Sequence, residues 1–476
     1  MNRPQTPAHP VFSRRSALQA GGIGVLGLGI SELTEIQTAV ASDVASRAKS
    51  VIFVFLTGGI SHQDSFDMKP EASETVRGEF NPINSVVPGI SICEHLPLLA
   101  QRTDKFAQVR SIGTESNGHE FACHMMLTGR LDMPAGFTLK DIPNANEWPS
   151  IPSQLTYALE GRNNLPPAII LPEPSVNEAN RVRPGQYAGR LGSKYEAWHV
   201  DIAAKCPLGN GACPDCFRFD GSEFQHAADS IFATPMLTLP EGGSLRLRGR
   251  VGLLGEIERQ REDLQRIAQV RKLDRHRQQA ISVLADPKTS RAFDVENADP
   301  KLIERYGKNK FGLSALMAFR LVDAGVKLVQ VNLVKNSSWD THQRNFPNLR
   351  DNLFPPADQA LSALIDDLNE SGLMDETLLI ITGEFGRTPK INKNGGRDHW
   401  GPVMTSLFAG AGVRGGHVIG KTDKIAAYPI ADKQTPENVA ATIFDALGIP
   451  RSMHWKDIDG RPHEMYRAEP IYDLYS

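Results

Sequence analysis

Cysteine is scarce in this chain, five in 476 residues, which is too few for a disulfide scaffold. Long apolar runs are missing too: no stretch approaches the roughly 18 residues that a membrane span needs. Neither sign of charge prevails, since 52 Lys and Arg stand against 55 Asp and Glu, for a net charge of −3. That balance argues against a strongly basic nucleic-acid binder, so no nucleic-acid partner is expected. What remains is ordinary globular material, 40% hydrophobic and 22% charged, which excludes collagen-like, coiled-coil and wholly disordered chains. The length suits one large or two ordinary domains.

The first 41 residues read as an address and stand apart from the fold. Ser13-Arg14-Arg15-Ser16-Ala17-Leu18 has the form of a twin-arginine export signal. A weakly apolar, glycine-rich stretch from Ala17 to Ile30 follows, and Ala39-Val40-Ala41 offers a cleavage site that leaves Ser42 first. The expected mature chain, 42–476, is therefore periplasmic or extracellular, with no membrane span. Loss of three Arg and two Glu with the leader takes its net charge to −4.

Continuous apolar runs place the strands. Val51–Leu56 is β-branched and aromatic, as expected of a strand buried on both faces of a parallel sheet. Phe106–Val109, Pro167–Pro172, Val326–Leu333, Thr377–Thr382 and Val403–Ala409 are further candidates. Helical segments at 313–324 and 358–369 precede two of them, with Gly325 and Gly372 as stops. Alternating helices and strands predict an α/β fold with a mostly parallel central sheet between helices.

Polar clusters follow these strands. His62, Asp64 and Asp67 follow the first; Asn117, His119 and His124 the second; Asp340 and His342 the fourth; Glu384, Arg387, Asp398 and His399 the fifth. Ligands of open α/β sheets bind beyond the carboxyl ends of strands, so four strand ends deliver imidazoles and carboxylates to one place. Such a mixture suits a divalent ion: Zn, Mn or Fe, with Ca or Mg also open. Two ions would clamp the attacking and leaving oxygens of a phosphate or sulfate ester. The alternative for Asp340-x-His342 is a helix cap with a packed imidazole. Arg387 is either a fork for a tetrahedral anion or half of a structural ion pair with Glu384 or Asp398. His119 and Cys123, four apart, share a face if helical.

Residues 175–300 could form a cap or insertion. Within it, Cys206, Cys213 and Cys216 in a Gly/Pro-rich loop fit a disulfide with a spare thiol, or a structural zinc site with His199 or His226. Residues 244–282 read as an amphipathic helix with a solvated, Arg-rich face, or as a basic groove for an anionic polymer. Cys93 and Cys123 read as small buried hydrophobes.

The ordered motifs resemble one family. Leu56-Thr57-Gly58-Gly59, Asp64-Ser65-Phe66-Asp67, Arg77-Gly78-Glu79-Phe80, Glu94-His95-Leu96-Pro97 and Met126-Leu127-Thr128-Gly129-Arg130 come first. Trp339-Asp340-Thr341-His342, Gly383-Glu384-Phe385-Gly386-Arg387-Thr388-Pro389 and Gly396-Arg397-Asp398-His399-Trp400 complete the set. Spanning about 50–450, they resemble the domain-of-unknown-function 1501 family, which looks like a distant branch of the alkaline phosphatase and sulfatase superfamily. The resemblance implies an alkaline-phosphatase-like fold and an exported, metal-dependent hydrolase of sulfate or phosphate esters. Its substrate would be a sulfated or phosphorylated small molecule or polysaccharide.

By that resemblance Asp64 is the first-strand carboxylate ligand, Asp340, His342 and His399 form one metal site, and Glu384 helps hold the other. His119 and Arg387 would be catalytic, and Asn117 and Asp398 would contact substrate. This sequence also departs from the superfamily. Nine residues before Thr128, where sulfatases start Cys-x-Pro-x-Arg, stands His119, with neither Pro nor Arg after it. Phe385 occupies a position expected to hold a His or Asn ligand. Two other readings stay open: a non-catalytic protein that binds an anionic polysaccharide or cell-surface component, and a phosphodiesterase or phosphomutase-like enzyme.

Overall fold

The computed structural model describes residues 46–139, 144–161, 165–177, 181–200, 203–204, 232–233, 287–333 and 338–476. Residues 1–41, expected to be an export leader, the three clustered cysteines and residues 244–282, expected to be helical, lie outside the described residues.

Eight strands form the main sheet: β1 (Ser50–Leu56), β2 (Phe106–Ile112), β3 (Ala168–Leu171), β4 (Trp198–His199), β5 (Leu328–Leu333), β6 (Thr377–Thr382), β7 (Met404–Ala409) and β8 (Val418–Ile419). Their spatial order is β8-β2-β7-β6-β1-β5-β3-β4. Only β7 runs against the others; it pairs antiparallel with β6 and with β2. At the centre β1 pairs in parallel with β6 and β5, Phe53 opposite Ile380 on one side and Gln330 on the other.

The apolar run of β1 works in both directions because strand side chains alternate faces. Ile52, Val54 and Leu56 join one core layer, which also holds Leu316 and Leu321 of helix α3 (Lys310–Ala324) and Leu361 and Leu364 of α4 (Phe354–Glu370). Val51, Phe53 and Phe55 join the opposite layer. There they meet α1 (His119–Thr128), α2 (Ile151–Ala158) and α5 (Pro436–Ala446). The sheet is thus covered on both faces, the arrangement that continuous apolar strands require. Cys93 lies in the first layer and Cys123 in the second, both free thiols.

Local chemistry sets the helix ends. Asn309 caps α3 by accepting the Gly312 N–H, and Gly325 ends it in the left-handed conformation. Gly129 ends α1 at φ 67°, where a Cβ would come within 2.2 Å of Ala440 Cβ; the bare backbone lets α1 seat on α5. The predicted strand boundaries hold to within three residues. The two-residue edge strands β4 and β8 escaped sequence reading because so short a run has no measurable period.

Candidate metal centre

Every functional segment emerges at one edge of the sheet. The loop after β2 leads to His119, the first residue of α1. Asp340 and His342 follow β5, and Glu384 and Arg387 follow β6. His399 precedes β7, and because β7 is antiparallel its beginning lies at the same edge. A two-residue ribbon sets Arg387 directly opposite His399.

Asp340 is the hub. Its Oδ1 lies 3.0 Å from His399 Nε2 and 3.1 Å from His342 Nε2, and its Oδ2 lies 2.9 Å from His119 Nε2. The two facing nitrogens of His342 and His399 are 2.8 Å apart. Partners on the far side of each ring decide what these nitrogens carry. His399 Nδ1 sits 2.8 Å from the Asn117 carbonyl, which can only accept. His342 Nδ1 sits 2.7 Å from the Asp398 carboxylate. Each Nδ1 is therefore placed to donate, and in the neutral ring the Nε2 lone pair faces the other imidazole and Asp340. In those neutral tautomers three acceptors converge, an arrangement that a shared cation would stabilise. Two imidazoles and a carboxylate fit a borderline divalent ion such as zinc, manganese or iron. His119, Asp340 and His399 likewise offer donor atoms within 4.8 Å of one another.

Behind these donors lies a second set of groups. Glu384, fully buried, accepts the Gly58 N–H at 2.8 and 3.0 Å and faces His119 Nδ1 at 2.8 Å. A carboxylate behind a histidine fixes its tautomer and raises its basicity. Arg387 is also fully buried. Its guanidinium pairs with Asp340 at 2.5 Å and donates to the carbonyls of Gly58, Gly59, Trp339 and Arg397. It leaves no face toward solvent and acts on Asp340 from behind. Gly59 permits this crowding, since a Cβ there would come within 2.6 Å of the Phe385 carbonyl. The buried Phe385 ring walls the site at 4.8 Å from His119 and 4.7 Å from His399.

The charge states follow from these contacts. Burial would raise the Asp340 pKa, but Arg387 and the three imidazoles hold it well below the ordinary carboxylate range. Burial disfavours the charged form of His119, yet its bonds to Asp340 and Glu384 outweigh that and raise its pKa. The bond to Asp340 raises His342, whereas burial lowers His399. Burial works against ionised Glu384, and the hydrogen bond from His119 overcomes it, so its pKa falls.

The structure brings together Asp340, His342, His399, His119, Glu384, Arg387, Asn117 and Asp398. Asn117 and Asp398 stand behind the imidazoles, and the Asn117 side chain accepts the Gly401 N–H at 2.6 Å. Asp64 is not part of this group. Its carboxylate accepts from Arg397 Nε and Nη2 at 2.7 Å each, from Asn345 Nδ2 at 2.8 Å and from Ser61 Oγ at 2.6 Å. Sequence reasoning missed Arg397 although it lies in one of the quoted motifs: nothing in a lone Arg beside Asp-His announces a partner more than three hundred positions away.

These features define an α/β protein with a helix-covered, mostly parallel sheet and a histidine–carboxylate centre at its strand ends. The chain belongs to the family described as protein of unknown function (DUF1501), whose model matches residues 48–474. No curated protein matches the sequence. Among solved structures it is similar to the lipoteichoic acid synthase LtaP from Listeria monocytogenes, at 14% identity and a TM-score of 0.34, over 88% of this chain and 78% of that one. It is similar to the phosphonate monoester hydrolase SpPMH from Silicibacter pomeroyi, at 14% identity and a TM-score of 0.33, over 90% and 76%. The PsFucS1 sulfatase from Pseudoalteromonas sp. gives 12% identity and a TM-score of 0.35, over 88% and 72%. Among the described residues, no helix is long and apolar enough to cross a membrane.

Proposed function

We propose that the protein is an exported, metal-dependent hydrolase of sulfate or phosphate esters. The observation that carries this reading is the convergence of His342 Nε2, His399 Nε2 and Asp340 Oδ1 within 3.1 Å of one another. These three residues would hold a divalent cation, which supplies Lewis-acid polarisation of an ester oxygen and stabilises charge that develops during cleavage. Asp398 and the Asn117 carbonyl hold the two imidazoles in the liganding tautomer. Arg387 keeps Asp340 ionised and oriented from behind. His119, held by Glu384 through Nδ1, is placed to hold or transfer a proton at Nε2. Its position at the start of a ten-residue helix adds the positive end of the helix dipole to a site for an anion.

The leader at 1–41 supports delivery by the twin-arginine route to the periplasm or beyond. Of the span 175–300, the described ends belong to the main fold, Trp198–His199 in the sheet and Phe293 in its core, so the cap reading does not extend to them; a sulfated or phosphorylated glycan is the substrate class we favour. A binding protein without catalysis is the second reading, and one observation favours it: His119 stands where related hydrolases carry an oxidisable Cys or Ser.

The test is elemental analysis of the exported protein beside the Asp340→Ala/His342→Ala double variant, followed by ester turnover. Bound metal that the variant loses, with hydrolysis that falls with it, is the expected result. A folded wild-type protein that takes up no metal on reconstitution would overturn the hydrolase reading.

A further inference from the structure

A nucleophilic side chain attacks an ester with a free lone pair and carries the anion for part of each turnover. His119 is the residue placed for that role, and both of its nitrogens are engaged. Nδ1 lies 2.8 Å from Glu384 Oε1, and Nε2 lies 2.9 Å from Asp340 Oδ2. An ionised carboxylate only accepts, so each of these contacts holds a hydrogen or, at Asp340, a shared cation. In neither case does the ring keep a lone pair for an ester. The imidazole is also buried, with the Phe385 ring at 4.8 Å and the His399 ring edge-on at 4.3 Å. To attack, it would have to give up two carboxylates and turn against two rings. The hydroxyl and thiol groups of the neighbouring loops are withdrawn as well. Ser61 Oγ donates to Asp64 at 2.6 Å and Thr341 Oγ1 to Asn345 at 2.5 Å, and neither residue is more than 1% exposed. Thr57 and Cys123 are fully buried, Cys123 within a core layer. Ser116 and Thr388 direct their hydroxyls at backbone carbonyls, which are not bases.

We infer that water cleaves the ester in a single displacement, with no covalent intermediate on the protein, and that His119 is not a nucleophile. The inference rests on the hydrolase reading of the centre. The bond from the water oxygen to sulfur or phosphorus forms as the bond to the ester oxygen breaks. One hydrogen of that water ends on the leaving oxygen, which departs as the alcohol. The other stays on the inorganic anion and passes to solvent as the anion ionises. Nothing is oxidised or reduced, and no co-reactant besides water is needed. A single displacement inverts the configuration at the attacked atom, whereas two in succession restore it. It also leaves no common intermediate, so the identity of the leaving group is still felt when the acceptor attacks.

The test uses the whole exported protein, loaded with Zn²⁺ or Mn²⁺, and needs no variant. Sulfate and phosphate esters of p-nitrophenol, 4-methylumbelliferone and phenol are hydrolysed in water containing glycerol. The share of each product that appears as the glycerol ester is read by mass spectrometry. Direct attack predicts a share that is nil or that changes with the leaving group. A constant, nonzero share across the three leaving groups would reveal a common covalent intermediate and overturn the inference, with the hydrolase reading intact. If phosphate esters turn over, an isotopically chiral p-nitrophenyl phosphorothioate, read by phosphorus NMR, should give inversion; retention would overturn the inference. Protein quenched during turnover is mapped by peptide mass spectrometry under alkaline conditions. An unmodified map is expected, and a sulfated or phosphorylated residue that forms and decays at the rate of turnover, at His119 or elsewhere, would overturn the inference. Absence of turnover with every ester by folded, metal-loaded protein would instead overturn the hydrolase reading, and the single displacement with it.

Discussion

Replacing Asp398 with Asn perturbs the centre without touching the core. The Asp398 side chain is 53% exposed, and its Oδ1 faces His342 Nδ1 at 2.7 Å. A cation on the far nitrogen of that ring, at an ordinary bond length of about 2 Å, would lie roughly 7 Å from the carboxylate. Over that span a unit negative charge and a divalent cation attract by about 1.2 kcal/mol at the screening of bulk water, and about 2.4 kcal/mol at half that screening. Removing the charge should therefore weaken metal binding by about tenfold to sixtyfold. That agrees with the 10- to 100-fold typical of groups that orient a ligand from behind. Asp398→Ala should cost more, because it also removes the acceptor that fixes the His342 tautomer. Competition against a chelating dye for Zn²⁺, at constant pH and salt, measures both variants. Asp351→Asn is the control: its side chain is equally exposed at 53% but pairs with Arg350 instead of His342. Asp398→Asn and Asp398→Ala both within twofold of wild type would refute the assignment of His342 as a ligand held from behind.

The Asp64–Arg397 pair makes a stability prediction. Arg397→Met strands a buried carboxylate and should cost about 3–5 kcal/mol in denaturant unfolding of the metal-free protein, with part regained in Asp64→Leu/Arg397→Met; full stability in the single variant would show the pair to be dispensable. The core thiols make another. Burial pushes the Cys93 thiol up to about 12 and raises Cys123 well above its ordinary value. Since the thiolate is the nucleophile, neither should be alkylated by iodoacetamide in the native protein at pH 8, and both should be after unfolding. Peptide mapping by mass spectrometry reads this, and native labelling of Cys93 at the rate of a free thiol would contradict its place in the core.

How far the sequence carried depended on range. Hydrophobic continuity is a local property, so 51–56 and 377–382 were legible as buried strands, and so was the alternation of helix and strand that makes the sheet parallel. The clustering of Asp340, His342, Glu384 and His399 was legible for the same reason, since each follows or precedes a strand whose end points to a common edge. Roles within the cluster were not. Arg387 and Arg397 are ten positions apart in equivalent-looking motifs, yet one grips Asp340 and the other Asp64. Asp64 and Asp340 are both strand-end aspartates, and only the fold gives one a guanidinium on both oxygens and the other two facing imidazole nitrogens. Which lone pairs remain open to a cation depends on hydrogen bonds across more than three hundred residues of chain. Residue type and spacing decide what each group can donate or accept, and tertiary packing alone decides which of those capacities is already used.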